Sequence, residues 1–451
     1  MFDASQMMLV IGLLLVLVFL GTHIAVALGL TAVVGLYMMM QGNLAPVIDF
    51  TANTAYVAIR GYVFAVIPLF MLMGEFLARS GVASDLFKLV NRLTRWLPGN
   101  LGVATVMANG IFAFVTGVSI AAAAAFSRIA YPEMKRYGYE RKLALSCVAG
   151  SACLGMLIPP SVLLIVWAVL TEQSIGRLFL AGVIPGLLLV AGFMLYIIIT
   201  AIRSPERVGR LAQDASAEAR ARRAQTESED SEGLLRAFLG TLVVVGLVLG
   251  ILFGIWFGFF TPTEGAGVGA AAGLLIAIAR GLRPRQIFEA VLAVGRISAP
   301  LLLLLVMAQL YSRVLSMTGI TGAIRTFILD TPLTPLMILL IMMAIWLLLG
   351  MIIDSVSIIL VTVPVFAPIA LAIGIDPLAF AIIGILTIEA GLLTPPFGIL
   401  VYTVKAALPD ERIPVSEIFI GTIPFWICML VLVGLIIAFP QIATWLPNLG
   451  R

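Results

Sequence analysis

Two short stretches of this 451-residue chain concentrate small oxygen-bearing side chains. The first reads Val115-Thr116-Gly117-Val118-Ser119 and the second Ile353-Asp354-Ser355-Val356-Ser357. Hydroxyls, a carboxylate and the bare backbone of a glycine are hard oxygen ligands, suited to a small cation such as sodium and to hydrogen-bonding an anion. Each stretch is followed by an apolar segment interrupted by paired prolines. These are Gly155-Met156-Leu157-Ile158-Pro159-Pro160-Ser161 and Gly391-Leu392-Leu393-Thr394-Pro395-Pro396. Proline removes an amide donor and breaks a helix. Bare carbonyls then face the gap from one side and bare amides from the other. Carbonyls of this kind bind sodium, and half-helix N-termini hold a substrate carboxylate. The candidate binding residues are therefore Thr116, Gly117, Ser119, Gly155, Pro159 and Ser161, and in the second half Asp354, Ser355, Ser357, Glu389, Thr394 and Pro395.

Each candidate has a plainer reading. One Pro-Pro pair inside a span can be only a kink, and Ser119 or Ser357 alone can be a helix-packing serine. Two breaks at matching places, each with a hydroxyl neighbour, favour binding. Asp354 and Glu389 are stronger, because acids inside a membrane are costly and usually functional. Glu75 precedes Arg79 by one helical turn, so a structural ion pair explains it equally well. Glu264 follows Thr261-Pro262-Thr263 and reads as a helix start capped by Thr261 or Thr263.

The elements that position these residues must lie in lipid. The chain is 62% hydrophobic and 11% charged, against about 45–50% and about 25% in soluble domains. The first apolar run has no small-residue cleavage site and reads as membrane rather than a signal peptide. The net charge of +4 is small, and Lys and Arg sit largely in loops, which speaks for membrane orientation and against nucleic-acid binding. Cys147 and Cys153 have no metal-ligand spacing, Cys428 stands alone, and the single histidine, His23, reads as a turn residue beside Gly21-Thr22. With no nucleophile–base pair and no metal set, an enzyme is not indicated. No cofactor is expected beyond sodium as coupling ion at the two oxygen-rich stretches and the helix breaks.

Spans are expected over two helices within Met7–Met40 and over Tyr56–Leu77, Leu178–Ala201, Leu234–Phe257, Gly265–Ala279, Ile287–Leu315 and Ile418–Ala438, with broken spans at Ala144–Val169 and Phe380–Ala406. Residues 78–100 interleave charge with large apolar residues, residues 316–330 are weakly amphipathic, and both read as arms at an interface. Residues 202–233, rich in Arg, Glu, Asp, Ser and Ala, read as a solvated linker that divides the chain nearly in half.

The halves repeat each other. Pro132 and Pro368, Gly138 and Gly374, and Pro159 and Pro395 all lie 236 residues apart. The segment after the first hydroxyl stretch holds Arg128, Lys135, Arg136, Arg141 and Lys142, whereas its counterpart holds Asp376 and no base. Basic loops stay cytoplasmic, so equivalent loops lie on opposite sides and the repeat is inverted. This threading puts the N-terminus in the periplasm and the linker in the cytoplasm. Residues 101–130 then start and end on one side and are too short for two spans of about 20 residues. They read as a re-entrant hairpin, and residues 336–369 as its counterpart from the other side. The expected organisation is a first repeat over 1–201 (scaffold 1–77, arm 78–100, hairpin 101–130, broken helix 143–169, span 178–201). The linker 202–233 precedes a second repeat over 234–451 (scaffold 234–315, arm 316–330, hairpin 336–369, broken helix 378–406, span 417–440). The fold class is an all-α polytopic membrane protein with an inverted repeat, two hairpins and two discontinuous helices.

Several of these motifs in combination resemble the large membrane subunit of TRAP transporters. They are Gly155–Ser161 followed by Ser174-Ile-Gly-Arg-Leu-Phe-Leu-Ala-Gly-Val-Ile-Pro-Gly186, Phe260-Thr-Pro-Thr-Glu264, Gly138-Tyr139, and Gly391-Leu-Leu-Thr-Pro-Pro-Phe-Gly398. The resemblance covers nearly the whole chain. It implies an elevator-type carrier in the inner membrane of a bacterium or archaeon, driving sodium-coupled uptake of an organic acid, usually a carboxylate. The implied partners are a small membrane subunit on a separate chain and a periplasmic solute-binding protein. Two departures bear on the site. The first hairpin usually carries a run of small hydroxyl residues, whereas here Ser119 is followed by Ile120 and Ala121 to Ala125, which leaves backbone carbonyls to supply that cation site. Thr387 stands where an amide is common before Glu389.

The expected mechanism has the hairpins and broken helices moving as a transport domain around a midplane site, with the remaining spans as scaffold. Two other classes stay open. A stand-alone sodium/carboxylate symporter would work without a binding protein. A non-transport subunit of a respiratory or antiporter complex would carry midplane lysines, but Lys88, Lys135, Lys142 and Lys405 all fall in segments read as cytoplasmic.

Overall fold

A computed structural model describes residues 2–209, 231–409 and 412–449. Most of the linker, residues 210–230, lies outside the described residues. The described chain is α-helical apart from short 3-10 turns and one isolated bridge, Tyr139 to Val208. Among the described residues, eight helical segments are long and apolar enough to cross a membrane.

The first two helices, Ala4–Phe19 and Ile24–Met39, meet at the Gly21 turn. There the His23 ring nitrogen accepts from the Ala25 amide at 3.3 Å, a capping role. A helix over Leu44–Arg60 follows, so the expected span Tyr56–Leu77 is interrupted: Tyr56–Arg60 end this helix, whose Asp49, Thr51, Asn53 and Thr54 dilute its apolar content. Gly61 and a 3-10 turn over Tyr62–Ala65 then lead into Val66–Arg79. In the second half the equivalent stretch is a single helix, Pro284–Thr318, with Pro300 inside it. Before it come Ser231–Trp256 and Pro262–Ala279. Glycines set how closely these helices pack. A β-carbon on Gly273 would stand 3.3 Å from the Met73 carbonyl oxygen, and one on Gly35 would stand 2.9 Å from Val314. Val66–Arg79 packs against Pro262–Ala279, and Ile24–Met39 against Pro284–Thr318, forming one body.

A second body contains two helix–turn–helix units. The first is Asn100–Thr116 with Ser119–Arg136, and the second is Pro335–Gly350 with Ser355–Ala372. Helix continues to Arg136, so residues 131–136, expected as a basic loop, are helical. The first interrupted helix comprises Arg141–Ala152, a short turn Leu154–Leu157, and Val162–Thr171. The second comprises Pro377–Gly391 and Ile399–Ala406. Both Pro-Pro bonds, 159–160 and 395–396, are cis.

The spans Ile175–Arg203 and Val415–Ala438 pack with this second body, not with the expected scaffold. Small residues make that contact. A β-carbon on Gly182 would meet the Leu157 carbonyl oxygen at 2.5 Å, and one on Gly150 would fall 2.3 Å from the Phe425 ring. Thr422 donates to the Leu393 carbonyl at 3.2 Å, tying the last long helix to the second break. Trp167, Trp346 and Phe380 cluster at centroid distances of 5.2–5.9 Å and join the two halves within this body.

The two amphipathic arms lie between the bodies. Val82–Leu93 packs on the first hairpin and on Ser231–Trp256, and Asp85 pairs with Arg280 at 2.5 Å. Ile320–Leu329 packs on the second hairpin and on the end of Pro284–Thr318.

Candidate functional site

Four helices begin at one place. Their first residues, Ser119, Val162, Ser355 and Ile399, all line a cavity of about 270 Å³ between the two bodies. Each helix start turns the positive end of its dipole toward that space. Two of the starts are self-capped. Ser161 accepts from the Leu164 amide at 3.4 Å, and Asp354 accepts from the Ser357 amide at 3.0 Å. The starts at Ser119 and Ile399 have no side-chain cap. One open start thus comes from each half of the chain, and these are suited to an anion.

Glu389 stands behind the two hairpin tips. It is 1% exposed, and its two carboxylate oxygens divide between the halves. Ser119 donates its hydroxyl to Oε2 at 2.8 Å, and Ser355 donates to Oε1 at 2.8 Å. Both serines are themselves buried. The carboxylate therefore yokes the two tips. A buried acceptor left without these donors costs its full desolvation, so the three groups stabilise one another's placement.

The other candidates fall into two groups. Asp354 lines the cavity, and its Oδ2 also accepts from the Ser357 hydroxyl at 2.5 Å, so Ser357 is committed to the helix cap. The rest stand behind the wall and shape it. Gly117, at φ +61°, packs onto the first break, where a β-carbon would lie 2.4 Å from the Pro160 carbonyl oxygen. One on Gly155 would lie 3.1 Å from the Ser119 amide nitrogen. The Val162 amide donates to the Gly117 carbonyl at 3.3 Å, and Ser161 donates its hydroxyl across the break to the Met156 carbonyl. Thr116 and Thr394 donate back into their own turns, to Phe112 and Gly391. Pro159 is buried, whereas Pro395 is exposed on the second break, away from the cavity wall. The Phe397 amide pins that loop to the second tip, donating to the Met351 carbonyl at 3.2 Å.

The sequence pointed to no residue of the facing wall. It consists of Met71 and, from the long helix, Ile297, Pro300, Leu301 and Leu304. Pro300, alone in a long apolar helix, was the one available signal. A second crevice of about 370 Å³ lies between the bodies near Gln173, Ser312, Ser316, Thr321 and Pro377. Glu264 lies outside both cavities. It forms a capping box with Thr261, whose amide donates to Oε2 at 2.8 Å. Glu75 pairs with Arg79 at 2.6 Å, the plainer of its two readings.

The model of the tripartite ATP-independent periplasmic transporter DctM component matches residues 11–442. A C4-dicarboxylate TRAP transporter large permease protein of Pseudomonas aeruginosa is 31% identical over 86% of this chain and 86% of its own length. One from Rhodobacter capsulatus is 30% identical over 98% of this chain and 99% of its own length. In fold, the chain is similar to the YdaH transporter of Alcanivorax borkumensis. The TM-score is 0.59 at 17% identity, covering 88% of this chain and 90% of that one.

Proposed function

The chain belongs to the DctM family of tripartite ATP-independent periplasmic transporters, and on that premise we propose that it couples inward sodium movement to uptake of a carboxylate solute. The solute arrives from a periplasmic binding protein, and a small membrane subunit completes the assembly in the inner membrane. The N-terminus lies in the periplasm and the linker in the cytoplasm.

The observation that carries this reading is the cavity at which four helices start, two of them uncapped, with Asp354 on its wall. A carboxylate fits the open amides at Ser119 and Ile399 without needing a basic side chain. Sodium fits the acidic side of the same space, at Asp354 and the carbonyls of the hairpin tips. The two ligands then support each other's binding, by about 1–3 kcal/mol if coupled like typical linked sites.

The hairpins, broken helices and the spans Ile175–Arg203 and Val415–Ala438 move as one transport domain against the other body, as an elevator. Glu389 supports this reading because it links both tips through one carboxylate. The test is tracer uptake into proteoliposomes holding this chain, the small subunit and a cognate binding protein, each omitted in turn, with and without an inward sodium gradient. Uptake requiring all three and the gradient is the expected result. Uptake by this chain alone would instead make it a stand-alone symporter.

A further inference from the structure

The walls of the midplane cavity differ in chemistry. One wall is made of the helix starts, where Ser119, Asp354 and Ser355 are the polar side chains among Val118, Ile120, Met156, Val162 and Ile399. The other is made of Met71, Ile297, Pro300, Leu301 and Leu304. Among the described residues none that lines the cavity is basic, and the one charged side chain there is the acid Asp354. From this we infer that the solute is a short monocarboxylate with an apolar tail. Its carboxylate sits at the helix starts and its hydrocarbon end against the long helix around Pro300. The inference rests on the carboxylate reading above and names the class of acid.

A dicarboxylate fits the same space badly. With one carboxylate at the open amides, the other end of a short diacid reaches the apolar wall. An ionised carboxylate there loses its hydration with no donor in return, which is among the costliest burials known. Turning it toward the tips brings it to Asp354, where like charges repel. An apolar tail gains where the second carboxylate loses, because it removes its own surface and that of Leu301 and Leu304 from water. Size points the same way. About 270 Å³ lies just under the usual range of about 300–1,000 Å³ for small-molecule sites, which suits a chain of a few carbons better than a sugar acid.

The tail wall and the carboxylate wall belong to different bodies. Met71 and the Pro300 segment come from the first, and the helix starts from the second. A tail of the right length therefore spans the gap between them, so the wall can select among acids that the helix starts alone would accept. The competing reading is that the apolar wall is only a smooth face over which the second body slides.

The test is direct binding by calorimetry to the full chain with its small subunit in nanodiscs. The probes are 4-methylpentanoate, succinate and 4-methylpentanamide, each in sodium and in choline buffer. The expected result is sodium-dependent binding of 4-methylpentanoate, at least about tenfold tighter than succinate, with no binding of the amide. Succinate binding equally or more tightly overturns the inference and leaves the carboxylate reading standing. If neither acid binds in sodium, the carboxylate reading falls and this inference falls with it. Leu304→Asn makes the wall polar at a half-buried position, and Leu304→Met keeps its size as a folding control. Leu304→Asn is expected to reduce the preference for 4-methylpentanoate over succinate about tenfold, with Leu304→Met unchanged. An unchanged preference in folded Leu304→Asn identifies the wall as a sliding face and overturns the inference.

Discussion

Gly117 rests directly on Pro160: a β-carbon at Gly117 would stand 2.4 Å from the Pro160 carbonyl oxygen. This contact seats the first hairpin tip on the first helix break. Gly117 also has φ +61°, where a side chain costs about 1–2 kcal/mol. Gly374 has φ +82° with open space around it, so it separates the two effects. Gly117→Ala is expected to abolish sodium-dependent uptake, and Gly374→Ala to keep most of it at a similar backbone cost. Uptake assays with a thermal unfolding check decide the matter. Equal losses in the two variants would show that backbone strain, not the tip contact, matters at Gly117.

Glu389 offers a contrast between charge and shape. Glu389→Ala leaves the Ser119 and Ser355 hydroxyls buried without their acceptor and opens a void. Leaving a buried donor unsatisfied costs about 1–3 kcal/mol, so a clear fall in thermal stability is expected. Glu389→Gln keeps the volume, and one serine can rotate its hydroxyl to accept from the new amide. Its stability is expected to stay within about 1 kcal/mol of the parent, while uptake falls because an amide cannot accept from both serines as the carboxyl group does. A fully stable Glu389→Ala protein would refute the yoke.

Much of this arrangement was legible in the sequence because it is local. Proline pairs mark helix breaks whatever surrounds them, and the Gly21 turn and the Thr261–Glu264 cap are set by neighbouring residues. What depends on distant packing was hidden. The helix over Leu44–Arg60 carries too many polar residues for a hydropathy signal, yet it packs on Pro284–Thr318. The spans Ile175–Arg203 and Val415–Ala438 look like any other apolar span. Only close approaches such as Gly182 on Leu157 and Gly150 on Phe425 assign them to the hairpin body. Glu389 was visible as a costly acid. That its two oxygens meet serines 270 and 34 residues away was not.

Asp354 both caps a helix and lines the cavity, and one substitution separates these roles. Asn caps about as well as Asp, so Asp354→Asn is expected to fold normally. Losing the carboxylate charge is expected to raise the sodium concentration for half-maximal uptake several-fold. Asp354→Ala adds the loss of the cap, about 1 kcal/mol. An unchanged sodium dependence in Asp354→Asn would remove Asp354 from the cation site.

The first arm is held to the first body by the Asp85–Arg280 pair at 2.5 Å, with side chains 29% and 22% exposed. Partly exposed pairs of this kind contribute about 1 kcal/mol or less. A double-mutant cycle with Asp85→Asn and Arg280→Gln, read by thermal unfolding, is expected to give a coupling in that range. A coupling of several kcal/mol would mean that the pair, not the apolar face of Val82–Leu93, anchors the arm.

Two exposed acids at opposite ends of Ile175–Arg203 can test the orientation proposed from charge. Glu172 lies just before this helix and Glu206 just after it. At 29 residues and 1.5 Å per residue the helix is about 43 Å long, enough to separate the two across a bilayer. Cys147 and Cys153 are buried and Cys428 is partly buried, so labelling by the native thiols stays low. In intact spheroplasts a membrane-impermeant maleimide is expected to label Glu172→Cys and to label Glu206→Cys only after permeabilisation. The bases around Arg136 and Arg141 lie on the same side as Glu206, because Glu140 pairs with Arg207 and its amide donates to the Arg207 carbonyl at 2.8 Å. The labelling result therefore also fixes the side from which the first hairpin enters. The reverse pattern would place those bases in the periplasm, against the positive-inside rule, and would exchange the sides assigned to the two hairpins.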